Sequence, residues 1–154
     1  MSITMGQCVL ISAGLLMSWM VGIGFYQNCV VIPSWFRDPP ASFSRINQYG
    51  KSELRFWIPM QALTVLALIA ALFAHWNEST RRLLLLGALT CYFLTVAVTS
   101  AYFAPRIIAW GRMNPEAAVP EELQVTGNRW RALSWMRQSV LIVADLLLLS
   151  ALAT

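Results

Sequence analysis

The first 36 residues of this chain contain no Asp, Glu, Lys or Arg. A run of about 20 apolar residues can cross the hydrocarbon of a bilayer, and Cys8 to Tyr26 meets that length inside the uncharged stretch. A cleaved secretory leader would begin with basic residues and end at small ones. Met1 to Gly6 holds no Lys or Arg, and Tyr26-Gln27-Asn28-Cys29 offers no such ending. The first span is therefore expected to be retained as a transmembrane helix.

The remainder of the chain repeats that character. Hydrophobic residues make up 58% of the 154 positions and charged residues 12%, against about 45–50% and about 25% in ordinary globular domains. Eleven Lys and Arg with seven Asp and Glu cannot cover a water-facing surface of this size. A soluble enzyme, a disordered chain and a free-standing nucleic-acid binder are excluded on that ground. The sequence predicts one integral membrane domain over 1–154: an all-α, antiparallel bundle of four transmembrane helices at about 8–27, 56–76, 83–105 and 133–153. Pro59 falls in the first turn of the second span, where proline is tolerated.

The connections differ in kind. Only Asn77 to Arg82 separates the second and third spans, which suits a tight turn. Between the first and second lies Pro33 to Arg55, interrupted by Asp38-Pro39-Pro40. Ser42 is there a candidate cap for a short interfacial helix on which Phe43, Ile46 and Leu54 share a face, preceded by Trp35 and Phe36. Between the third and fourth lies Arg106 to Arg131. Pro120-Glu121-Glu122 is a good helix start, and that helix is expected to run into the fourth span, with Gly127 as a candidate bend.

Lys and Arg counts set orientation. Arg37, Arg45, Lys51 and Arg55 sit in the first long connection. Arg106, Arg112, Arg129, Arg131 and Arg137 sit in or beside the second, and only Arg81 and Arg82 lie opposite. Both long connections are expected in the cytoplasm and both termini outside, in a membrane such as the bacterial inner membrane. The positive charge is thus read as topology and lipid headgroup contact, and no nucleic-acid partner is expected. Cys8, Cys29 and Cys91 have no CxxC spacing, and one helix would hold Cys8 and Cys29 about 30 Å apart. With one histidine and no cysteine motif, neither a metal site nor a cofactor is expected.

Polar groups inside a span need a partner or a purpose. Tyr92, Thr95, Thr99, Tyr102 and Arg106 recur at steps of three or four along the third span. They are either helix-to-helix glue or one wall of a pocket. In the fourth span Trp135, Gln138, Ile142 and Asp145 share a face. Asp145 is either a proton acceptor or a hydrogen-bonded carboxyl that holds helices together. It is expected to point into the bundle, with Ser12 of the first span or groups on the His75 side of the second as partners at comparable depth. Arg137 either snorkels to the interface or binds an anionic oxygen. His75 beside Trp76 reads as an interfacial anchor. Ser12, Trp19 and Tyr26 read as a packing face, and Gly14, Ser18 and Gly22 as a small-residue ridge for close helix approach, which would serve a homo-oligomer contact.

An antiparallel bundle would bring four span ends to one membrane face. Tyr26, Gln27 and Asn28 close the first span, and Trp57 and Gln61 open the second. Tyr102 and Arg106 close the third, with Thr99 one turn deeper. Asn128, Arg129, Trp130 and Arg137 open the fourth. Aromatic side chains belong to interfacial belts, but that rule does not explain amides and arginines among them. The candidate substrate-binding set is therefore Tyr26, Asn28, Trp57, Gln61, Thr99, Arg106, Asn128 and Trp130. The candidate catalytic set is Arg137, Tyr102 and Asp145.

Ala13-Gly14-Leu15-Leu16, leading through Gly22 and Gly24 to Pro33, and the Trp130…Arg137 pair that opens a Leu-rich last span, resemble the small four-helix membrane proteins of the anthrone oxygenase-like family. The resemblance covers the whole chain in hydropathy and spacing but few residues in identity. It implies oxidation of a hydrophobic phenolic or polycyclic substrate by O₂ without metal or flavin. A base such as Tyr102 or Asp145 would take the substrate's proton, and Arg137 or Arg106 would stabilise the developing anion. Two other classes remain open: a proton-coupled carrier with Asp145 as the coupling group, and an accessory subunit of a membrane complex.

Overall fold

Helix dominates because the apolar runs are long and hold few residues that break them. The computed structural model describes residues 4–113 and 120–154, with side chains throughout except at 47–54 and 120. Among these residues every regular element is helical. Helix α1 spans Met5–Tyr26 and is capped by Thr4, whose hydroxyl accepts from the Gln7 amide while the Gln7 side chain accepts from the Thr4 amide. A π-helical segment, Gln27–Val31, carries α1 directly into the short α2, Ile32–Trp35. After a turn at Asp38–Pro40 and a 3₁₀ turn at Ala41–Phe43, α3 runs over Ser44–Ala74. Helix α4, Ser79–Val98, passes through a second π segment, Thr99–Phe103, into α5, Ala104–Gly111. Helix α6 is Pro120–Ala153.

Four stretches are long and apolar enough to cross a membrane: Met5–Trp35, Arg55–Ala74, Ser79–Gly111 and Glu121–Ala153. They coincide with the four expected spans, but the first, third and fourth are longer. The start of α6 at Pro120 and its unbroken passage through Gly127 follow the expectation, without a break at the glycine. The short interfacial helix is a correction. Phe43 closes the 3₁₀ turn and the rest of the segment belongs to the first turns of α3, which continues past Pro59 to Ala74 without interruption. Ser42 does not cap it; its hydroxyl instead donates to the Trp35 carbonyl and accepts from the Asp38 amide, closing the preceding turn. Phe43 and Ile46 are buried as expected, while Leu54 lies outside the described side chains.

Two cores hold the helices. The larger joins Leu10, Ala13 and Met17 of α1, Leu68 and Ala71 of α3, Leu85 and Ala88 of α4, and Leu141, Ala144 and Leu148 of α6. The pairing of α4 with α6 is the most extensive, followed by α1 with α6 and with α3. The second core lies at the other end and is mostly aromatic: Trp35, Phe36, Phe43, Phe103, Trp110 and Trp130. Outside these cores, large apolar side chains face outward, among them Leu15 at 68% exposure, Phe73 at 70% and Leu83 at 67%. Trp19 and Tyr26 belong to this outward set and Ser12 is exposed with them. The face expected to pack is therefore the outer one, and the packed face of α1 is Leu10, Ala13, Gly14, Met17, Met20 and Gly24.

Candidate functional site

The two π segments have the same local cause. Each is followed at once by an X-Pro step, Ile32-Pro33 and Ala104-Pro105, and proline lacks the N–H that an α-helix would use there. The Ile32 amide reaches back to the Gln27 carbonyl and the Ala104 amide to the Thr99 carbonyl, five residues each. Wide turns of this kind occur often at functional positions. Both open onto the aromatic core: Asn28 is buried in the first, with its amide donating to the Gly24 carbonyl at 2.9 Å, and Phe103 is buried in the second.

Arg137 of α6 stands against the second wide turn. Its guanidinium donates to the Thr99 hydroxyl at 3.1 Å and lies over the Phe103 ring, 4.6 Å from the centroid. The Thr99 hydroxyl in turn donates to the Thr95 carbonyl at 2.7 Å. Among the described residues no carboxylate pairs with Arg137; the ion pairs present are His75–Glu78 and Arg81–Glu78, in the turn between α3 and α4. A charge at mid-span costs about 2.5–3.5 kcal/mol on an insertion scale. One hydrogen bond from a charged donor contributes about 1.5–3 kcal/mol, and the ring face adds about 0.5–2 kcal/mol. These offset the cost, although among the described residues one of about five donor N–H groups is engaged.

The Phe103 ring is also the contact point for Trp130, at 5.1 Å between centroids, and Trp130 meets Trp35 at 6.2 Å, Phe36 at 6.1 Å and Trp110 at 5.7 Å. Gly127 makes room one turn earlier in α6: a Cβ there would stand 2.4 Å from the Phe36 ring. Trp35 Nε1, Trp130 Nε1 and Ser134 Oγ are buried without a hydrogen-bond partner among the described residues. Ser134 differs in this from Ser12, Thr64, Thr90, Ser139 and Ser150, each of which donates to the carbonyl four residues before it.

Of the predicted residues, the structure thus brings together Arg137, Thr99 and Trp130, and adds Phe103, Trp35 and Ser134, which sequence reading left out of the site. Tyr102 lies in the same wide turn and Arg106 in the first turn of α5, and the two face each other: the guanidinium lies 4.0 Å from the Tyr102 ring centroid and donates to its hydroxyl. Asn28 is buried on α1. Trp57 packs at the edge of the larger core, and Gln61 is half-buried one turn further on. Tyr26 is 59% exposed and Asn128 is exposed, so both lie outside the cluster. Asp145 is two turns beyond Arg137 on α6, about 12 Å along the axis. Its partner is Ser18, whose hydroxyl lies 3.0 and 3.2 Å from the two carboxylate oxygens. Ser12, the partner expected on the first span, bonds back to the Cys8 carbonyl. The signal that could have found Ser134 was its spacing, four from Trp130 and three from Arg137 on one helical face.

No group of three His, Cys, Asp or Glu side chains forms a metal-sized cluster among the described residues. Comparison of the chain with protein-family models, with curated proteins and with solved structures finds no match. The resemblance to the anthrone oxygenase-like proteins therefore rests on the residues quoted for it.

Proposed function

We propose that this chain is an integral membrane protein of four antiparallel spans that receives a hydrophobic small molecule at the long-connection end, where Arg137 holds the molecule's anionic oxygen. The observation that carries the reading is the Arg137 guanidinium, fixed by Thr99 and Phe103 with no acid opposite it. The antiparallel arrangement is supported by contacts between α1 and α6 whose numbers run in opposite directions: Gly14 with Leu152, Ser18 with Asp145, and Val21 with Gln138. Outward-facing leucines and phenylalanines suit lipid contact, and a substrate dissolved in lipid would enter from the side.

The chemistry that fits the resemblance is oxidation of a phenolic ring system by O₂. The substrate anion passes an electron to O₂, and a cation nearby stabilises both the anion and the superoxide. Conversion of a ring methylene to a carbonyl consumes one O₂ and releases one water. Arg137 supplies the cation, and the aromatic core supplies the walls. In this reading Asp145 acts with Ser18 as a helix clasp.

The test is O₂ consumption by the purified protein in nanodiscs with an anthrone as substrate. Arg137→Gln is expected to lower the rate at least about a hundredfold, the scale of losing one charge-stabilising donor. Absence of both turnover and anthrone binding in the wild type would overturn the site, whereas binding without turnover would leave a binding or carrier role.

A further inference from the structure

The groups gathered about Phe103 are unequal in kind. The Arg137 guanidinium, the Trp35 and Trp130 indole N–H groups and the Ser134 hydroxyl all can donate, and the last three are enclosed with no partner among the described residues. Leaving a buried donor unpaired costs about 1–3 kcal/mol, so three in one cluster describe a place that an acceptor would relieve. No carboxylate or imidazole joins them among the described residues. The Asp145 carboxyl is held by Ser18, and the Tyr102 hydroxyl by Arg106.

We infer that the ligand of the Arg137 site is an aromatic acid bound as its anion, an aryl carboxylate or a phenolate, with its charged oxygen on Arg137 and Ser134 and its ring among Phe103, Trp130 and Trp35. The assignment rests on the small-molecule site proposed above and names its ligand. A neutral alcohol or protonated acid brings a further donor into a set already rich in donors. An ionised oxygen accepts from several at once, and a carboxylate matches the two parallel N–H groups of a guanidinium. The aromatic half follows from the walls. Rings here already meet edge to face at 5.1–5.7 Å, the contact geometry that an aromatic ligand also favours.

The test uses the full chain in phosphatidylcholine nanodiscs, with empty nanodiscs as the blank for partitioning. Calorimetric titration at pH 7 compares 2-naphthoate with the neutral 2-naphthalenemethanol. Naphthoate is expected to bind about ten- to a hundredfold more tightly, the size of one or two charge-assisted hydrogen bonds. Arg137→Gln should reduce naphthoate to the level of the alcohol. Ser134→Ala, which removes only a hydroxyl and keeps the charge, should weaken naphthoate several-fold and leave the alcohol unchanged. Equal binding of the two probes to the wild type would overturn the anion assignment while leaving the small-molecule site standing, and failure of both to bind would remove both. A short-chain phosphatidate displacing naphthoate at far lower concentration than naphthoate itself would overturn the aromatic assignment in favour of a lipid phosphate.

Discussion

Gly24 has no room for a methyl group. A Cβ there would stand 2.2 Å from Gln138 Oε1 and 2.9 Å from its Cδ. Gln138 cannot yield freely, because it is buried and its amide donates to the Val21 carbonyl at 3.0 Å. Gly22, two residues earlier, meets nothing within 4 Å. Gly24→Ala is therefore expected to destabilise by about 1–3 kcal/mol through overpacking. Gly22→Ala should be neutral or slightly stabilising, because alanine is the better helix former. Thermal unfolding of both variants in one detergent checks the pair; equal melting temperatures would contradict it. The sequence ridge of Gly14, Ser18 and Gly22 was legible in part: Gly14 meets Leu152 and Ser18 meets Asp145, but Gly24 takes the place of Gly22 at the close approach. Spacing marks a stripe of small residues. Which one a neighbour's side chain fills depends on the partner helix, and no single chain segment encodes that.

At the scale of elements, the turn between α3 and α4 does more than reverse the chain. His75, read from sequence as an interfacial anchor, is buried; a Cβ on Gly6 would stand only 3.4 Å from its Nε2. Its Nδ1 pairs with Glu78 Oε1 at 2.7 Å, and Glu78 Oε2 pairs with Arg81. Arg81 Nε donates to the Ala151 carbonyl at 3.1 Å, serving the last turn of α6, which has no basic residue of its own there. The hydrogen bond from His75, followed by the charge of Arg81, holds the Glu78 carboxyl below its ordinary value of 4.5. A carboxyl depressed in the folded state contributes stability that is present above its ordinary value and is lost as pH falls through the depressed one. Glu78→Gln should therefore melt below the wild type at neutral pH, and the gap should close as the pH falls well below the ordinary carboxyl value. A gap that stays constant across that range would assign the effect to packing. The spacing His75, Glu78, Arg81 was visible in the sequence, but the role of Arg81 was not, since it depends on α6 ending beside the turn. The wide turns were likewise hidden: the sequence offers Pro33 and Pro105 only as the edges of the first and third apolar runs, and the chain absorbs each with a π segment.

For the molecule as a whole, four helices long and apolar enough to cross a membrane were legible because apolar runs of that length leave little choice but helix. Of the candidate cluster around Arg137, Thr99 and Trp130 were named from their types and spacing and Ser134 was within reach of the same spacing, whereas Phe103 and Trp35 join it only through the packing of the helices. That packing also bears on orientation. Arg137 is engaged by Thr99 and Phe103, and Arg106 by Tyr102, so neither serves as a simple topological charge. Setting them aside still leaves Arg37, Arg45, Lys51, Arg55, Arg112, Arg129 and Arg131 at the long connections against Arg81 and Arg82 at the short turn. The asymmetry survives, and the rule that basic loops stay inside predicts that the basic side faces the cytoplasm. Single cysteines at positions 51 and 122, in a chain whose native Cys8, Cys29 and Cys91 are replaced by serine, should react with an impermeant maleimide only after the cells are opened. A cysteine at Asn77 in the short turn should react in intact cells. Labelling of positions 51 and 122 from outside would invert the orientation and put the Arg137 end on the outer face, so that an aromatic acid would reach it from outside the cell.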